Sequence, residues 1–364
     1  MQHHPIVAPY VSLRAHFRAG AGLLSSAAIL LAWTAACSNA APAATHSLDT
    51  VESVGSNAAE SKYVVGYLPN YRGALSDWTR TLDFSALTHV NLAFATVEQE
   101  ANGLAIHYRA DGASSGEEPG LAAFVAEAHA ASVKVCLAVG GGVQSDDLGK
   151  MILEAPTELA KKIALYAQEH ELDCIDVDQE EQYPTAALDA AYGEFIRDLG
   201  RRLHDMQKQL TAAVASWNPA KILPVVNQFD FLNVMAYDLN NPPSSKTPIQ
   251  GSTIADAQKE LDYWVANGAP KSKLVWGVPF YGFEWNGEVV NYVTYASIVQ
   301  ALGSVPTQDQ VQVQNSTITL NSSATIRSKA ELAQQSYGGL MIWELGQDAT
   351  NEQSLLGVIK SVMR

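Results

Sequence analysis

Short apolar runs rich in β-branched residues alternate with helical patterns along the chain from residue 62 onward. The strand-like runs cover residues 63–67, 88–94, 133–139, 172–178, 210–215, 229–236, 274–278 and 339–343. Apolar positions with helical spacing lie between most of them, over residues 121–131, 158–170, 188–203 and 254–265. This alternation predicts the α/β class and a (β/α)8 TIM barrel in a single catalytic domain over residues 62–364. Two doubly wound domains are the alternative, which is less favoured because no linker interrupts the series.

The first 61 residues have a different pattern, one that is typical of export. Arg14 and Arg18 precede an apolar stretch over residues 19–36, which ends in small residues before Cys37. A basic segment, a short apolar segment and small residues before a cleavage point form a secretory signal. A cysteine directly after small residues resembles the bacterial lipobox. Residues 1–37 are therefore predicted to be a signal peptide whose cleavage leaves a lipidated Cys37.

Residues 38–61 are rich in Ala, Ser, Thr and Asn and have no periodicity, so they are predicted to form a flexible tether. The expected product is a cell-envelope lipoprotein, periplasmic or on the surface, that touches the membrane only through its lipid anchor. Ordinary secretion with cleavage near Ala40 is the alternative.

The composition is that of a folded, acidic protein. Of the 364 residues, 47% are hydrophobic and 17% are charged, which excludes a disordered chain. The formal net charge of -15 repels nucleic acid and anionic membrane surfaces, so neither is an expected partner. A neutral or cationic substrate is expected instead, and the three cysteines are too few for a disulfide scaffold.

The fourth predicted strand carries a row of acids. Because strand side chains alternate between faces, Asp176, Asp178 and Glu180 share one face, while Ile175 and Val177 point to the other. Acids at the carboxyl end of a barrel strand face the catalytic mouth. Three carboxyl groups this close cannot all ionise at low cost, so at least one pKa is expected to be raised. Glu180 is nearest to solvent and is the predicted proton donor.

A solvated acidic strand end or a calcium loop is the alternative interpretation of these acids. An EF-hand loop requires a central glycine and a terminal acid that this segment lacks, and it does not interleave Ile and Val with its ligands. The catalytic interpretation is therefore preferred.

The pattern Asp173-x-x-Asp176-x-Asp178-x-Glu180, followed by Tyr183-Pro184, resembles the signature of glycoside hydrolase family 18, the chitinases and their relatives. Six further segments resemble other strands of that family in the same order, at residues 65–71, 87–95, 134–141, 235–238, 277–282 and 339–348. Each segment alone is weak evidence, but seven in the correct order are strong.

The resemblance implies retaining hydrolysis of β-1,4-linked N-acetylglucosamine, in which the acetamide of the substrate is the nucleophile. Glu180 would protonate the glycosidic oxygen, and Asp178 would orient the acetamide N–H. Asp176 would share a proton with Asp178, and Tyr237 would hydrogen-bond the acetamide oxygen. The intramolecular nucleophile is held at high effective concentration, so the protein needs to supply only an acid and electrostatics.

The same resemblance implies a set of residues that bind the sugar. Trp343 would form the floor under the reacting ring, with a place in the barrel core as its alternative. Asp238 would assist the distorted sugar or the acid, or only cap the next loop. For the remaining family positions, core packing and sugar contact are equally expected: Tyr67, Phe94, Met235 and Tyr281.

Three positions depart from the family pattern. Cys174 stands where glycine is usual, Gln179 replaces a tryptophan, and Ala138 replaces a serine that supports the inner acid. Gln179 is predicted to point away from the acids, and the loss of the serine is predicted to make Asp176 harder to ionise. Cys136 and Cys174 fall on neighbouring strands, where two small buried thiols are preferred over a disulfide.

Other chemistry is poorly supported by the sequence. Residues 140–142 are three glycines without the lysine of a phosphate-binding loop, so they are predicted to allow close backbone packing near the cleft. The histidines form no metal-binding pattern, and no serine-hydrolase elbow is present, so neither a metal nor a cofactor is expected. The protein is expected to be a monomer.

Chitin or chitooligosaccharides are the preferred substrate. An endo-β-N-acetylglucosaminidase acting on N-glycan chitobiose cores is one alternative, and a catalytically silent glycan-binding lipoprotein is another. The irregular, polar residues 283–325 predict an elaborated loop or hairpin after the seventh strand. The roughly 55 residues between Gly282 and Gly338 are too few for the full insertion domain of chitinases, which suggests a shallow, open cleft.

Overall fold

The computed structural model describes residues 62–110, 112–113, 115–116, 118–180, 185–217 and 219–364. The predicted signal peptide, Cys37 and the tether lie outside the described residues, as do Tyr183 and Pro184, so the expectations about them stay predictions. In the described part of the chain, no helix is both long and apolar enough to cross a bilayer.

Strands and helices alternate along the described chain. The strands are β1 (Tyr63–Pro69), β2 (His89–Glu100), β3 (Gly103–His107), β4 (Lys134–Gly140), β5 (Cys174–Asp178), β6 (Gln209–Val214), β7 (Phe231–Val234), β8 (Leu274–Pro279), β9 (Tyr281–Asn286), β10 (Val289–Thr294), β11 (Gln310–Val313), β12 (Ser316–Leu320) and β13 (Gly339–Trp343). The helices are α1 (Leu75–Thr81), α2 (Leu121–Ala130), α3 (Ser145–Glu154), α4 (Pro156–Glu169), α5 (Ala186–Asp205), α6 (Ile254–Ala266), α7 (Tyr295–Leu302), α8 (Ser323–Ser336) and α9 (Leu355–Met363).

Eight parallel strands form a closed ring. Their order is β1, β2, β4, β5, β6, β7, β8 and β13, and β13 pairs in parallel with β1 to close the barrel. All eight strands lie where the apolar runs predicted them, and the (β/α)8 TIM barrel is confirmed. The connection after β6 contains a 3₁₀ segment, Leu223–Gln228, where most other connections contain an α-helix.

Alternation of side chains separates two apolar layers. On β5, Ile175 and Val177 are fully buried in the large cluster between the strands and the helices. Inward-facing residues form a smaller cluster inside the barrel, which includes Val65, Phe231 and Met341. Because both layers exclude water, polar groups placed inside the barrel must find partners there.

Side-chain caps fix where several helices begin. The Thr185 hydroxyl accepts a hydrogen bond from the Leu188 N–H at the start of α5. Thr253, Ser322 and Ser354 cap α6, α8 and α9 in the same way. Such caps satisfy amide groups that the first turn leaves without partners, so they set the helix boundaries locally.

The segment after β8 is more ordered than a loop or hairpin. Strands β9 to β12 form a separate antiparallel sheet in the order β10-β9-β12-β11, and α7 lies between β10 and β11. The polar alternation of residues 310–313 reflects a strand that is exposed on one face and half-buried on the other. The expectation of an irregular segment was wrong, because a short α+β module occupies this position.

The two buried cysteines are joined. Cys136 and Cys174 are register partners on β4 and β5, and they form a disulfide inside the barrel. The preference for two separate thiols was wrong, because parallel pairing places both side chains side by side on the inner face. The bridge links two neighbouring strands, one of which carries the acids.

Candidate active site

The acids lie at the carboxyl end of the barrel. Asp176 pairs in register with Ala138 on β4 and Thr211 on β6, and Asp178 pairs with Gly140 and Ala213 one step nearer the mouth. Glu180 follows two residues beyond the end of β5. Because side chains alternate along a strand, Asp176 and Asp178 share one face of β5, and the charge of Glu180 acts on Asp178.

Asp176 is held by donors from three other strands. Its Oδ2 accepts from the Tyr67 hydroxyl at 2.5 Å. Its Oδ1 accepts from the Thr211 hydroxyl at 2.6 Å and from the Asn233 amide at 3.0 Å. Complete burial raises the pKa of Asp176, and these hydrogen bonds oppose the rise.

Thr211 and Asn233 were missed by sequence reasoning, although both are polar residues with inward parity on predicted strands. Thr211 supplies a hydroxyl to Asp176 on the side of β6, while Ala138 on β4 offers none. The pKa of Asp176 is raised, as predicted from the missing serine, but burial is the main cause.

The environment of Asp178 is less favourable for a negative charge than that of Asp176. Its side chain is only 3% exposed. Burial, followed by the charges of Glu180 and Asp176, raises its pKa well above the usual value, and Lys221 lowers it. Among the described residues, Asp178 Oδ1 has no hydrogen-bond partner. Because this oxygen is itself buried, the carboxyl group must turn towards the mouth before a ligand can pair with it.

Glu180 is half-buried, in contrast to the two aspartates below it. Its backbone N–H donates to the Ser145 hydroxyl at 2.6 Å. The side chain of Gln179 turns the other way and donates from Nε2 to the Ser145 carbonyl oxygen at 2.8 Å. The predicted orientation of Gln179, away from the acids, is confirmed.

The triple glycine after β4 packs closely against this strand end, as predicted. Gly140 has φ near 105°, and a Cβ atom there would lie 2.1 Å from the Asp178 carbonyl oxygen. A Cβ atom on Gly141 would lie 2.7 Å from the ring of Phe94. Only glycine fits this backbone and this contact without displacing the residues around the acids.

Aromatic rings form the wall beside the acids. Trp343, at the end of β13, is half-buried, and its ring centre lies 5.5 Å from that of Tyr67 and 5.9 Å from that of Phe94. Met235 packs against the same inner cluster. Tyr67 is 1% exposed and bonded to Asp176, so it supports the acid from below. The half-exposed Trp343 is compatible with a sugar platform.

A second group of predicted residues follows β7 and β8. The Tyr281 hydroxyl donates to Asp238 Oδ1 at 2.5 Å, which fixes that aspartate at the mouth. The rings of Tyr281 and Tyr237 meet edge to face, with centres 6.5 Å apart. Tyr237 belongs to the same inner cluster as Tyr67. All ten predicted active-site residues therefore lie at or just below the barrel mouth.

One cluster of possible metal ligands lies on the β2–β3 hairpin. Ligand atoms of Glu98, Glu100 and His107 lie within 4.8 Å of one another. Arg109 forms an ion pair with Glu98, and His107 Nε2 lies 2.9 Å from Glu100. The carboxylates that a cation would need are therefore already paired with Arg109 and His107, which accounts for the cluster without a metal ion.

Known proteins similar to this chain are chitinases and chitinase-like proteins. A family model described as Glycosyl hydrolases family 18 matches residues 63–348. A chitinase-like effector of Moniliophthora roreri is 26% identical over 226 residues, covering 55% of this chain and 53% of that protein. A Class V chitinase of Arabidopsis thaliana is 24% identical over 247 residues, covering 59% and 61%. The matched part thus spans about half to three-fifths of these curated relatives.

Solved structures share the fold over more of the chain. The GH18 chitinase ChiB from the chitin utilization locus of Flavobacterium johnsoniae is 30% identical, with a TM-score of 0.69, over 84% of this chain and 94% of that chain. A chitinase from Bacteroides thetaiotaomicron is 25% identical, with a TM-score of 0.70, over 83% and 96%. A chitinase-like agglutinin from Robinia pseudoacacia, 23% identical with a TM-score of 0.69, has the same fold.

The family model covers the barrel from its first strand to beyond its last one. The matched residues include all seven sequence segments that resemble the family and the acids at the mouth. The chain belongs to glycosyl hydrolase family 18.

Proposed function

We propose that this protein hydrolyses β-1,4 bonds next to N-acetylglucosamine, with retention of anomeric configuration and with chitin or chitooligosaccharides as substrate. The observation that carries the proposal is Asp178, which is buried between two other carboxyl groups and has an oxygen with no partner among the described residues. An acetamide N–H of a bound sugar would satisfy that oxygen. A sugar without the amide would leave it buried and unsatisfied, which is costly.

The first step breaks the glycosidic bond. Glu180 donates its proton to the glycosidic oxygen as the bond to the anomeric carbon breaks. The acetamide carbonyl oxygen of the same sugar forms a bond to that carbon and gives an oxazolinium ion. Asp178 accepts the N–H hydrogen bond and offsets the positive charge, and the Tyr237 hydroxyl donates to the acetamide oxygen. Asp176 shares a proton with Asp178, so that Asp178 can turn towards the sugar.

The second step restores the acid. Glu180, now a carboxylate, removes a proton from water as the water oxygen attacks the anomeric carbon and opens the oxazolinium ring. The two aspartates are 0% and 3% exposed, so they are poorly placed to attack the anomeric carbon themselves. This burial favours the acetamide as nucleophile. Trp343 supports the sugar ring, and Asp238, held by Tyr281, stabilises the site beside Tyr237.

A second enzyme activity is the cleavage of N-glycan chitobiose cores. Gln179 stands where chitinases usually have a tryptophan, and this sequence difference favours the alternative activity. The Gln179 side chain contacts Ser145 and is 4% exposed, so this difference has little effect on the cleft. Chitooligosaccharides are therefore the preferred substrate. The agglutinin with the same fold makes a silent lectin the third candidate, which the presence of Glu180 argues against.

The test compares wild-type protein with Glu180→Gln on chitotetraose and on a high-mannose glycopeptide. Wild type is expected to release N-acetylglucosamine oligomers from chitotetraose. The variant is expected to lose more than about 1,000-fold in turnover because its amide cannot donate a proton to the leaving group. Binding of chitotetraose by the variant is expected to remain. Binding without turnover by wild type would identify a lectin, and cleavage of the glycopeptide alone would identify the endoglycosidase.

A further inference from the structure

The peptide group that joins Gln179 to Glu180 is held on both sides. Strand β5 ends at Asp178, so this peptide lies beyond the last paired position of the sheet. The Glu180 N–H donates to the Ser145 hydroxyl at 2.6 Å, and the Gln179 carbonyl oxygen accepts from the Lys221 ammonium group. A peptide group with a partner at each end cannot rotate without breaking one of them. The backbone that carries Glu180 is thereby fixed.

The donor on one side is a buried cation. Lys221 lies in the connection after β6 and is 3% exposed. Its Nζ lies 5.7 Å from the centre of the Tyr192 ring on α5. Removing an ammonium group from water costs several kcal/mol. A neutral amide could donate to the same carbonyl oxygen at lower cost, so the positive charge itself requires an explanation.

The charge of Lys221 acts on Asp178. Groups facing Asp178 from its own strand segment are Asp176 and Glu180, and both raise its pKa. From β1, the Tyr67 hydroxyl also interacts with Asp178. Lys221 lowers the pKa of Asp178 and so opposes the two acids. The ammonium group donates to the carbonyl oxygen of Gln179, the residue that follows Asp178, and it makes a negative charge at Asp178 less costly.

We infer that Lys221 is a positioning residue of the hydrolytic reaction, which fixes the backbone of Glu180 and favours the charged form of Asp178. This inference rests on the proposed function. Lys221 does not touch the substrate in this account. It acts through its hydrogen bond to the Gln179 carbonyl oxygen and through its charge. Ser145, the first residue of α3, accepts the hydrogen bond from the Glu180 N–H on the other side of the same peptide group.

Two substitutions test the effect of the charge. Lys221→Gln keeps a hydrogen-bond donor and removes the charge, whereas Lys221→Arg keeps the charge. Without the cation, the pKa of Asp178 and of the carboxyl groups that interact with it is expected to be higher. The acid limb of the kcat/KM profile is therefore expected to move up by about half a pH unit or more in Lys221→Gln, with kcat about 10-fold lower and KM nearly unchanged. Lys221→Arg is expected to keep the acid limb of wild type.

Lys208→Met is the matched control. Lys208 also donates to a backbone carbonyl oxygen, that of Leu172, just before the other end of β5. This variant is expected to lose stability without changing the acid limb or kcat. Equal shifts in the Lys208 and Lys221 variants, or an unshifted limb in Lys221→Gln, would overturn the inference. If wild type is inactive on every N-acetylated glycan, the proposed function itself has failed.

Ser145→Ala tests the positional effect alone. It removes the acceptor of the Glu180 N–H and changes no charge, so kcat is expected to fall by about 10-fold while the acid limb stays in place. Should Lys221→Gln fail to fold, Ser145→Ala still decides whether the peptide group before Glu180 must be held. A folded Ser145→Ala protein with wild-type kcat contradicts the positional role.

Discussion

The two buried aspartates differ in their hydrogen bonds. Asp176 accepts bonds from Tyr67, Thr211 and Asn233, which stabilise its charged form. Asp178 Oδ1 has no partner in the described chain, and the neighbouring charges disfavour its ionisation. Any negative charge of the pair is therefore stabilised mainly on Asp176, and a proton is held mainly on Asp178.

Tyr67→Phe tests this distribution of charge. The change removes the hydroxyl that donates to Asp176 and keeps the ring against Trp343. Because this hydrogen bond lowers the pKa of Asp176, its loss makes the single negative charge of the aspartate pair more costly, and less of the protein carries that charge at neutral pH. We expect kcat to fall by about 10- to 100-fold, the effect of losing one hydrogen bond to a charged group. KM should change little, since Tyr67 is 1% exposed.

Tyr295→Phe is the control for that experiment. Tyr295 is also a buried tyrosine, on α7, and its hydroxyl has no hydrogen-bond partner among the described residues. Its removal should leave the steady-state kinetics unchanged. If Tyr67→Phe retains the kcat of wild type, the hydrogen bond to Asp176 is not needed for turnover.

At the residue scale, the sequence was sufficient for the acids but not for their partners. Asp176, Asp178 and Glu180 follow from alternation within one strand. The contact with Asn233 depends on how β5, β6 and β7 are aligned with each other, and a single strand does not contain that information. Lys221 lies in an irregular connection, where no periodicity predicts the direction of a side chain.

At the scale of elements, the strands were predicted well because each is a short apolar run bounded by polar residues. Five helices, α1, α3, α7, α8 and α9, were not among the helical patterns named from the sequence. The sequence of α3, for example, contains Gly149 and few apolar residues in its first turns. The strands of the inserted module were missed because their polar faces are exposed and their pairing is non-local. The disulfide likewise depends on the register between β4 and β5.

A buried lysine connects the module to the barrel helices. Lys329 on α8 is fully buried, and its Nζ donates to the carbonyl oxygen and hydroxyl of Ser252 and to the Asn321 side chain, each at 2.7 Å. Burial lowers the pKa of Lys329 from 10.5 to about 7. The folded chain therefore holds this proton less tightly than the unfolded chain does.

The stability of the protein is expected to depend on pH through Lys329. Above about pH 7 the unfolded chain binds a proton at this lysine that the folded chain has released, so the free energy of unfolding rises as the pH rises towards 10. Lys329→Met removes this contribution. The measurement is urea unfolding at about pH 6.5 and about pH 9. Between these two values the free energy of unfolding should rise more for wild type than for Lys329→Met.

Lys259→Met is the control for this pH dependence. Lys259 is exposed on α6 and pairs with Asp256, so its substitution should preserve the difference between the two pH values. Identical pH dependence in wild type and Lys329→Met would mean that Lys329 stays charged in the folded protein.

In the whole molecule, the barrel brings the ten predicted site residues from six strands or strand ends to one mouth, and the inserted module adds a wall. Tyr281, Phe283 and Trp285 form a cluster on β9, and Trp343 packs against it. The module therefore supports one side of the predicted sugar platform. The short length of the insertion was predicted, and a shallow, open cleft stays a prediction.

In the proposed reaction, the acetamide of the substrate is the nucleophile. The most direct measurement is the turnover of aryl chitobiosides whose reacting sugar carries an N-acetyl, N-fluoroacetyl, N-difluoroacetyl or N-trifluoroacetyl group. Fluorine withdraws electrons from the carbonyl oxygen, so kcat should fall steadily along the series, by more than about 100-fold in total. A rate that is independent of fluorination would mean that another group attacks the anomeric carbon and that the acetamide is not the nucleophile.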